Sequence, residues 1–207
     1  PKFKRGVRMI GIIDYGMSNL HSVKNACDHL GLESVVSKDI SVLSKCDKLI
    51  LPGVGAFQDC MNTLHSMSLY DFIEQQVKKD IPLLGICLGM QALFESSEEN
   101  GYCLGFGFIK GNVCHMEDIS VKIPQIGWNA LESNQNQNIF KENTYVYYVH
   151  SYYAKDMNDE DLIGYSMYGN MKIPGLVMHG HIMGCQFHPE KSGKDGLKIL
   201  EYFGKEF

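Results

Sequence analysis

The sequence predicts an α/β fold: a mainly parallel central sheet flanked by helices, with antiparallel strands added in the second half. Three observations predict it. Short apolar runs alternate with helical patterns through residue 91, the signature of successive βαβ units. Beyond Glu95 that alternation gives way to β-prone runs with little helix between them. With 207 residues, 44% hydrophobic and 21% charged, the chain suits one globular domain with a full core. No apolar run approaches the length of a membrane span.

Residues 9–14 form a near-continuous apolar run suited to a buried parallel strand. Gly16 makes the turn and Ser18 or Asn19 can cap a helix. Leu20, Val23, Cys27 and Leu30 share one face of it, and Gly31 ends it. Residues 34–37 read as a short strand, 39–45 as a helical turn, and 48–51 as a third strand closed by Pro52. Gly53-Val54-Gly55 leads into a helix near 56–67. A second helix near 69–79 turns Leu69, Phe72, Ile73 and Val77 inward. An apolar strand then runs into Gly85-Ile86-Cys87-Leu88-Gly89, and 90–94 read as helix. In the second half, strands are expected at 106–113, 145–149, 163–167, 176–179 and 182–187. Residues 133–138 and 157–161 are polar loops, and a helix over 194–203 closes the chain.

Composition narrows the class. The net charge is −5, and both arginines, Arg5 and Arg8, lie in the first eight residues with Lys2 and Lys4; without these four charges it is −9. Residues 1–8 therefore read as an N-terminal extension of foreign composition, with 9–207 as a single domain and Met9 as its natural start. Beyond that extension no arginine can clamp phosphate in two-pronged fashion, which argues against nucleic acid as a partner. Seven cysteines (27, 46, 60, 87, 103, 114 and 185) are scattered without any C-x-x-C. That pattern argues against a disulfide framework or zinc site and for a reducing, cytoplasmic setting.

A strand running into a helix through G-x-C-x-G is the thiol form of a nucleophile elbow. Cys87 would sit at the apex, lifted into solvent above a helix N-terminus whose free N–H groups favour a thiolate. Taken alone, a core cysteine on a buried strand is the plainer reading. A nucleophile also needs a base, a group to orient the base, and donors for an oxyanion. His188 precedes Pro189, which holds it extended, so His188 and Glu190 share one side of the segment, placed for a carboxylate to steady an imidazolium. The N–H of Leu88, following the cysteine, is one expected oxyanion donor. The loop Gly53-Val54-Gly55 is the other source, since its glycines let peptide planes turn. His179 and His181 could begin a metal site, but no further ligand has suitable spacing.

With these residues in place, the chain resembles the class I, triad-type glutamine amidotransferases, nearly end to end from Met9. It is most similar to the glutaminase subunits of imidazole glycerol phosphate synthase. The carrying segments are Asp14-Tyr15-Gly16-Met17-Ser18-Asn19-Leu20, Leu51-Pro52-Gly53-Val54-Gly55-Ala56-Phe57 and Gly85-Ile86-Cys87-Leu88-Gly89-Met90-Gln91. Gly127-Trp128-Asn129, Val149-His150-Ser151-Tyr152 and Gln186-Phe187-His188-Pro189-Glu190-Lys191-Ser192 follow. The elbow and F-H-P-E mark the superfamily; P-G-V-G-A-F, G-W-N and H-P-E-K-S mark the subfamily.

The resemblance implies a Cys87–His188–Glu190 triad that hydrolyses L-glutamine to glutamate and ammonia without metal or cofactor. It implies Gln91 and Glu99 at the amino-acid end of the substrate, and His150, Ser151 and Tyr152 lining the site. It also implies a separate (β/α)8-barrel cyclase that receives the ammonia and makes imidazole glycerol phosphate and AICAR in histidine biosynthesis, and an oxyanion loop that often waits for that partner. Trp128 and Asn129 would face the cyclase; a core tryptophan after a turn is the other reading of Trp128. One departure stands out: where the family usually shows P-H-M-G-W-N, this chain has Pro124-Gln125-Ile126-Gly127-Trp128-Asn129. That leaves the glutaminase chemistry intact and opens the alternative of a sister subunit serving another synthase, for example in surface-sugar biosynthesis. An inactive interaction module is the non-enzymatic alternative.

Overall fold

A computed structural model describes residues 8–135 and 137–207. The reading of residues 1–8 as an extension therefore lies, apart from Arg8, outside the described residues. The first half builds β1 (Ile10–Ile13), α1 (Leu20–His29), β2 (Ser34–Ser37), α2 (Ile40–Leu43), β3 (Lys48–Gly53), α3 (Phe57–Ser66), α4 (Leu69–Val77), β4 (Leu83–Cys87) and α5 (Leu88–Gln91). The second half adds β5 (Phe94–Ser97), β6 (Cys103–Leu104), β7 (Ile109–His115), β8 (Gln125–Ser133), β9 (Thr144–His150) and β10 (Tyr152–Lys155). It ends with β11 (Leu162–Tyr168), β12 (Met171–His179), β13 (Ile182–Cys185) and α6 (Gly193–Lys205).

Among the described residues the strands form a nine-stranded sheet, ordered β2-β1-β3-β4-β13-β12-β11-β8-β9, and a four-stranded sheet, β10-β7-β5-β6. Pairing is parallel from β2 through β13 and antiparallel from there to β9. This is the α/β architecture with antiparallel additions that the sequence predicts. β1 and β3 are buried along their whole length, as strands covered on both faces must be. Alternate residues serve different layers. Ile50 packs with Val23, Cys27, Ile199 and Phe203, while Leu49 and Leu51 join Phe57, Leu64 and Ile73. Lys48 is buried too, its ammonium donating to the carbonyls of Phe203 (2.7 Å), Gly204 (3.1 Å) and Phe207 (2.8 Å). It thereby ties the end of α6 to the sheet and satisfies carbonyls that a helix C-terminus leaves open.

Two expectations near the elbow are corrected. Pro52 does not close the third strand: Pro52 pairs with Ile86 and Gly53 with Cys87, carrying β3 up to the cysteine. An extended strand accommodates proline's fixed φ and forfeits only its N–H. Nor do residues 90–94 form a helix, since α5 stops at Gln91 and Phe94 opens β5. The carbonyls of Ala92, Leu93 and Phe94 are taken by the N–H groups of Phe106, Phe108 and Gly107, so they are not available for another helical turn. Of the small sheet only β7 was expected, as the strand at 106–113; β5, β6 and β10, and β8 of the large sheet, were not.

Candidate active site

Three adjacent strands converge on Cys87. β4 lies between β3 and β13, and Cys87 ends it with φ 55° and ψ −111°, a strained conformation for a side chain with a Cβ. The turn is tight enough to require both flanking glycines. A Cβ on Gly85 would lie 2.5 Å from the Gly89 carbonyl oxygen, and one on Gly89 would lie 1.8 Å from that of Leu51. Cys87 is not lifted into solvent: it is 6% exposed, at the wall of a cavity of ≈ 310 Å³. The helix beneath it is only four residues long, so the local N–H groups matter more than any macrodipole.

His188 follows β13, where its N–H donates to the Tyr147 carbonyl (3.0 Å) and its carbonyl accepts from the Ser192 hydroxyl (2.6 Å). Its ring Nδ1 lies 2.8 Å from Glu190 Oε1, and both side chains are almost wholly buried. Glu190 reaches it from a short 3-10 turn, Pro189–Lys191, rather than along the extended segment expected from the sequence. The ring's Nε2 is buried with no hydrogen-bond partner among the described residues. Burial opposes a charge on this ring, but Cys87 and then Glu190 outweigh it and push the His188 pKa up to about 10. The Glu190 carboxylate at 2.8 Å favours the charged form of the ring.

The cavity brings together Val54, Gly55, Cys87, Leu88 and His188 with Gln91, Glu99, His150, Ser151 and Tyr152. Gly53 and Glu190 do not line it but a smaller recess that shares Val54 and His188 with it. The oxyanion candidates are not equally placed. The Leu88 N–H begins α5 and has no carbonyl within that helix to bond. Val54 donates instead to the Met17 carbonyl at 2.9 Å, and Gly55 takes φ +106°. The Val54 donor is committed elsewhere in this conformation.

The remaining polar residues are held by one another. Gln91 donates from Nε2 to the Tyr152 carbonyl (2.9 Å) and to Gln186 Oε1 (3.0 Å), and Gln186 Nε2 lies 3.8 Å from Cys87 Sγ. Glu99, which belongs to a charged run that could have been a solvated turn, accepts the Phe57 N–H at 2.8 Å. It thereby fastens the start of α3 just past the Gly53–Gly55 loop. His150 is 7% exposed, with Nδ1 at 2.8 Å from the Tyr152 carbonyl, and burial drives its pKa down to about 4. Sequence reasoning missed Gln186, Gln125 and the Met17 carbonyl. A glutamine inside an apolar strand run was the available signal for Gln186; the Met17 carbonyl had none.

Trp128 is not core: it is 53% exposed on β8, beside Ile126 (61%) and across from Tyr147 and Val149 on β9. Asn129 corrects its expected placement. Strand alternation sends it to the opposite face, where Gln125 Nε2 lies 2.9 Å from its Oδ1. His179 and His181 lie against different carboxylates, Asp161 at 2.8 Å and Asp80 at 3.5 Å. Among the described residues no group of three His, Cys, Asp or Glu could hold a metal.

The family description "Glutamine amidotransferase class-I" matches residues 11–206. The chain belongs to that family. Among its relatives, "Imidazole glycerol phosphate synthase subunit HisH" of Lactococcus lactis is 45% identical over 203 residues, covering 97% of this chain and all of that one. The Oceanobacillus iheyensis protein of the same description is 42% identical, over 94% of this chain and 98% of that one. Solved structures share the fold: PurLQS from Thermotoga maritima superposes with TM-score 0.75 at 19% identity, over 95% of this chain and 97% of that one. A glutamine amidotransferase from the same organism gives 0.64 at 18%, over 90% and 77%. As a class-I glutamine amidotransferase the chain is an enzyme that takes ammonia from glutamine.

Proposed function

We propose that this chain is the glutaminase subunit of an imidazole glycerol phosphate synthase, working in the cytoplasm on a (β/α)8-barrel cyclase that consumes its ammonia in histidine biosynthesis. Near-full-length identity of 42–45% to subunits of that description supports the pathway. The observation that carries the chemistry is the buried pair of His188 Nδ1 and Glu190 Oε1 at 2.8 Å, with Cys87 on the ring's other side.

In this reading Cys87 Sγ, its proton passed to His188, attacks the side-chain amide carbon of glutamine. The carbonyl oxygen becomes an oxyanion held by the Leu88 N–H and by a donor from the Gly53–Gly55 loop. The tetrahedral species collapses to a glutamyl thioester as His188 returns its proton to the departing nitrogen, giving ammonia. Water, deprotonated by His188, then cleaves the thioester to glutamate and restores the thiol. Glu190 fixes the ring and stabilises its charged form throughout. Because Val54 N–H bonds Met17, the free subunit is short of one oxyanion donor until docking turns that peptide. Ile126, Trp128, Tyr145, Tyr147 and Val149 give the docking strands an apolar face. Glutamine hydrolysis measured with and without the cyclase tests the reading: turnover should rise on complex formation and vanish in Cys87→Ala and His188→Ala.

A second reading keeps the chemistry and changes the recipient. Gln125-Ile126 stands in the docking strand where related sequences usually have His-Met, which fits a sister glutaminase serving a different synthase. The synthase that stimulates turnover decides between them.

A further inference from the structure

Behind the docking face a line of polar side chains runs inward from β8. Gln125 is 0% exposed and stands opposite His150 in the β8–β9 register. One end of its amide lies 2.9 Å from His150 Nε2 and the other 2.9 Å from the Asn129 amide. The far side of the His150 ring, Nδ1, lies 2.8 Å from the Tyr152 carbonyl, which also receives Gln91 Nε2.

The proton positions follow from what each atom can do. A carbonyl oxygen only accepts, so Nδ1 of His150 carries a hydrogen. The ring is buried and neutral, so Nε2 presents a lone pair, which an amide oxygen would repel. Oxygen and nitrogen ends of an amide are told apart by their partners; the Gln125 and Asn129 amides, placed above with Gln125 Nε2 on Asn129 Oδ1, are therefore read turned end for end, with the NH2 of Gln125 facing His150. Its oxygen then accepts from Asn129, whose amide has no other side-chain bond among the described residues. Three directed hydrogen bonds result, Asn129 to Gln125, Gln125 to His150, and His150 to the Tyr152 carbonyl.

We propose that Gln125 is a positioning residue for glutamine binding: it locks His150 in one orientation, and through His150 it fixes the Tyr152 carbonyl and the Ser151–Tyr152 wall of the pocket. This rests on the reading of the cavity as the glutamine site. The placement gives a physical meaning to the departure at this position. A histidine also offers one donor and one acceptor, so either residue can bridge Asn129 and His150, whereas an apolar residue of similar size cannot. Leucine at 125 leaves the His150 lone pair buried without a donor and frees the ring to turn away from Tyr152.

The test has two arms. In the complex with the cyclase, Q125L should raise KM for glutamine about tenfold while lowering kcat by less than about threefold, and Q125H should recover most of that affinity. In the free chain, 15N NMR of the His150 ring should show a protonated Nδ1 and an unprotonated Nε2 in the wild type and in Q125H, and lose that signature in Q125L. The proposal is overturned if Q125L keeps the wild-type KM, or if Q125L and Q125H lower kcat and leave KM alone. A wild-type ring protonated at Nε2 near neutral pH overturns it equally, and that measurement stands even if Q125L does not fold. Absence of any glutaminase turnover in the wild-type complex would instead sink the functional reading, leaving the ring measurement to judge the hydrogen-bond chain.

Discussion

If the proposed peptide turn supplies the second oxyanion donor, replacing Val54 with glycine should raise the glutaminase activity of the isolated chain. In the present conformation the Val54 N–H is spent on the Met17 carbonyl at 2.9 Å. Turning the Gly53–Val54 peptide toward Cys87 breaks that bond, at about 1 kcal/mol net, and swings φ of Val54 positive. It is not positive now. A β-branched residue held there costs about 1–3 kcal/mol. The turned state is then disfavoured by roughly 2–4 kcal/mol, which at about 1.4 kcal/mol per decade leaves on the order of one molecule in 30 to one in 1,000 competent. Glycine removes the dihedral part of that cost. Val54 is 42% exposed, so losing its side chain forfeits little packing. Glutamate release by the isolated V54G chain should rise about 5- to 100-fold over wild type, with activity in the complex little changed and V54A close to wild type. An isolated V54G chain no faster than wild type, or V54A rising as much as V54G, would refute the peptide-turn account.

The other predictions concern the triad, the docking face and the elbow. Glu190→Gln should lower kcat by about 10²- to 10⁴-fold. Because the His188 pKa is raised to about 10, the imidazolium persists below that pH and is lost above it; removing Glu190 takes away one support, so the alkaline limb of the residual pH–rate profile should move to lower pH. Trp128→Ala should weaken cyclase binding by at least about tenfold, read by titration calorimetry. Its melting temperature should fall by less than about 2 °C, since the ring is half exposed and meets Tyr147 edge-on at 6.0 Å between centroids. Gly89→Ala places a Cβ 1.8 Å from the Leu51 oxygen. Two backbones must part to admit it, so the variant should lose about 3 kcal/mol or more and melt roughly 6–12 °C lower, if it folds at all.

Much of the first half was legible because its elements are specified locally. Apolar runs at residues 9–14 and 48–51 have nowhere to go but a two-sided buried strand, and the periodicity of 20–30 leaves a single apolar face for α1. The corrections come where a distant segment supplies the hydrogen bonds. Residues 92–94 carry helix-compatible side chains, yet their carbonyls are claimed by the N–H groups of 106–108, and no window around residue 92 contains that information. Asn129 fails for a related reason. Belonging to the same short motif as Trp128 makes the two look like one surface, but pairing of β8 with β9 makes the strand extended and sends neighbours to opposite faces. The motif thus divides between two faces: Trp128 is exposed on one, while Asn129 and Gln125 lie on the other, where Gln125 meets His150. His188 and Glu190 show the converse. Their pairing was reached from an extended geometry, and the structure produces it from a 3-10 turn, because two residues separated by one proline are close enough for a glutamate to find the imidazole by either route. Spacing along the chain therefore constrains which groups can meet more tightly than it constrains the backbone that brings them there. The least legible part of the site, the orientation of the Val54 peptide, depends on a rotation that leaves every side chain where it is.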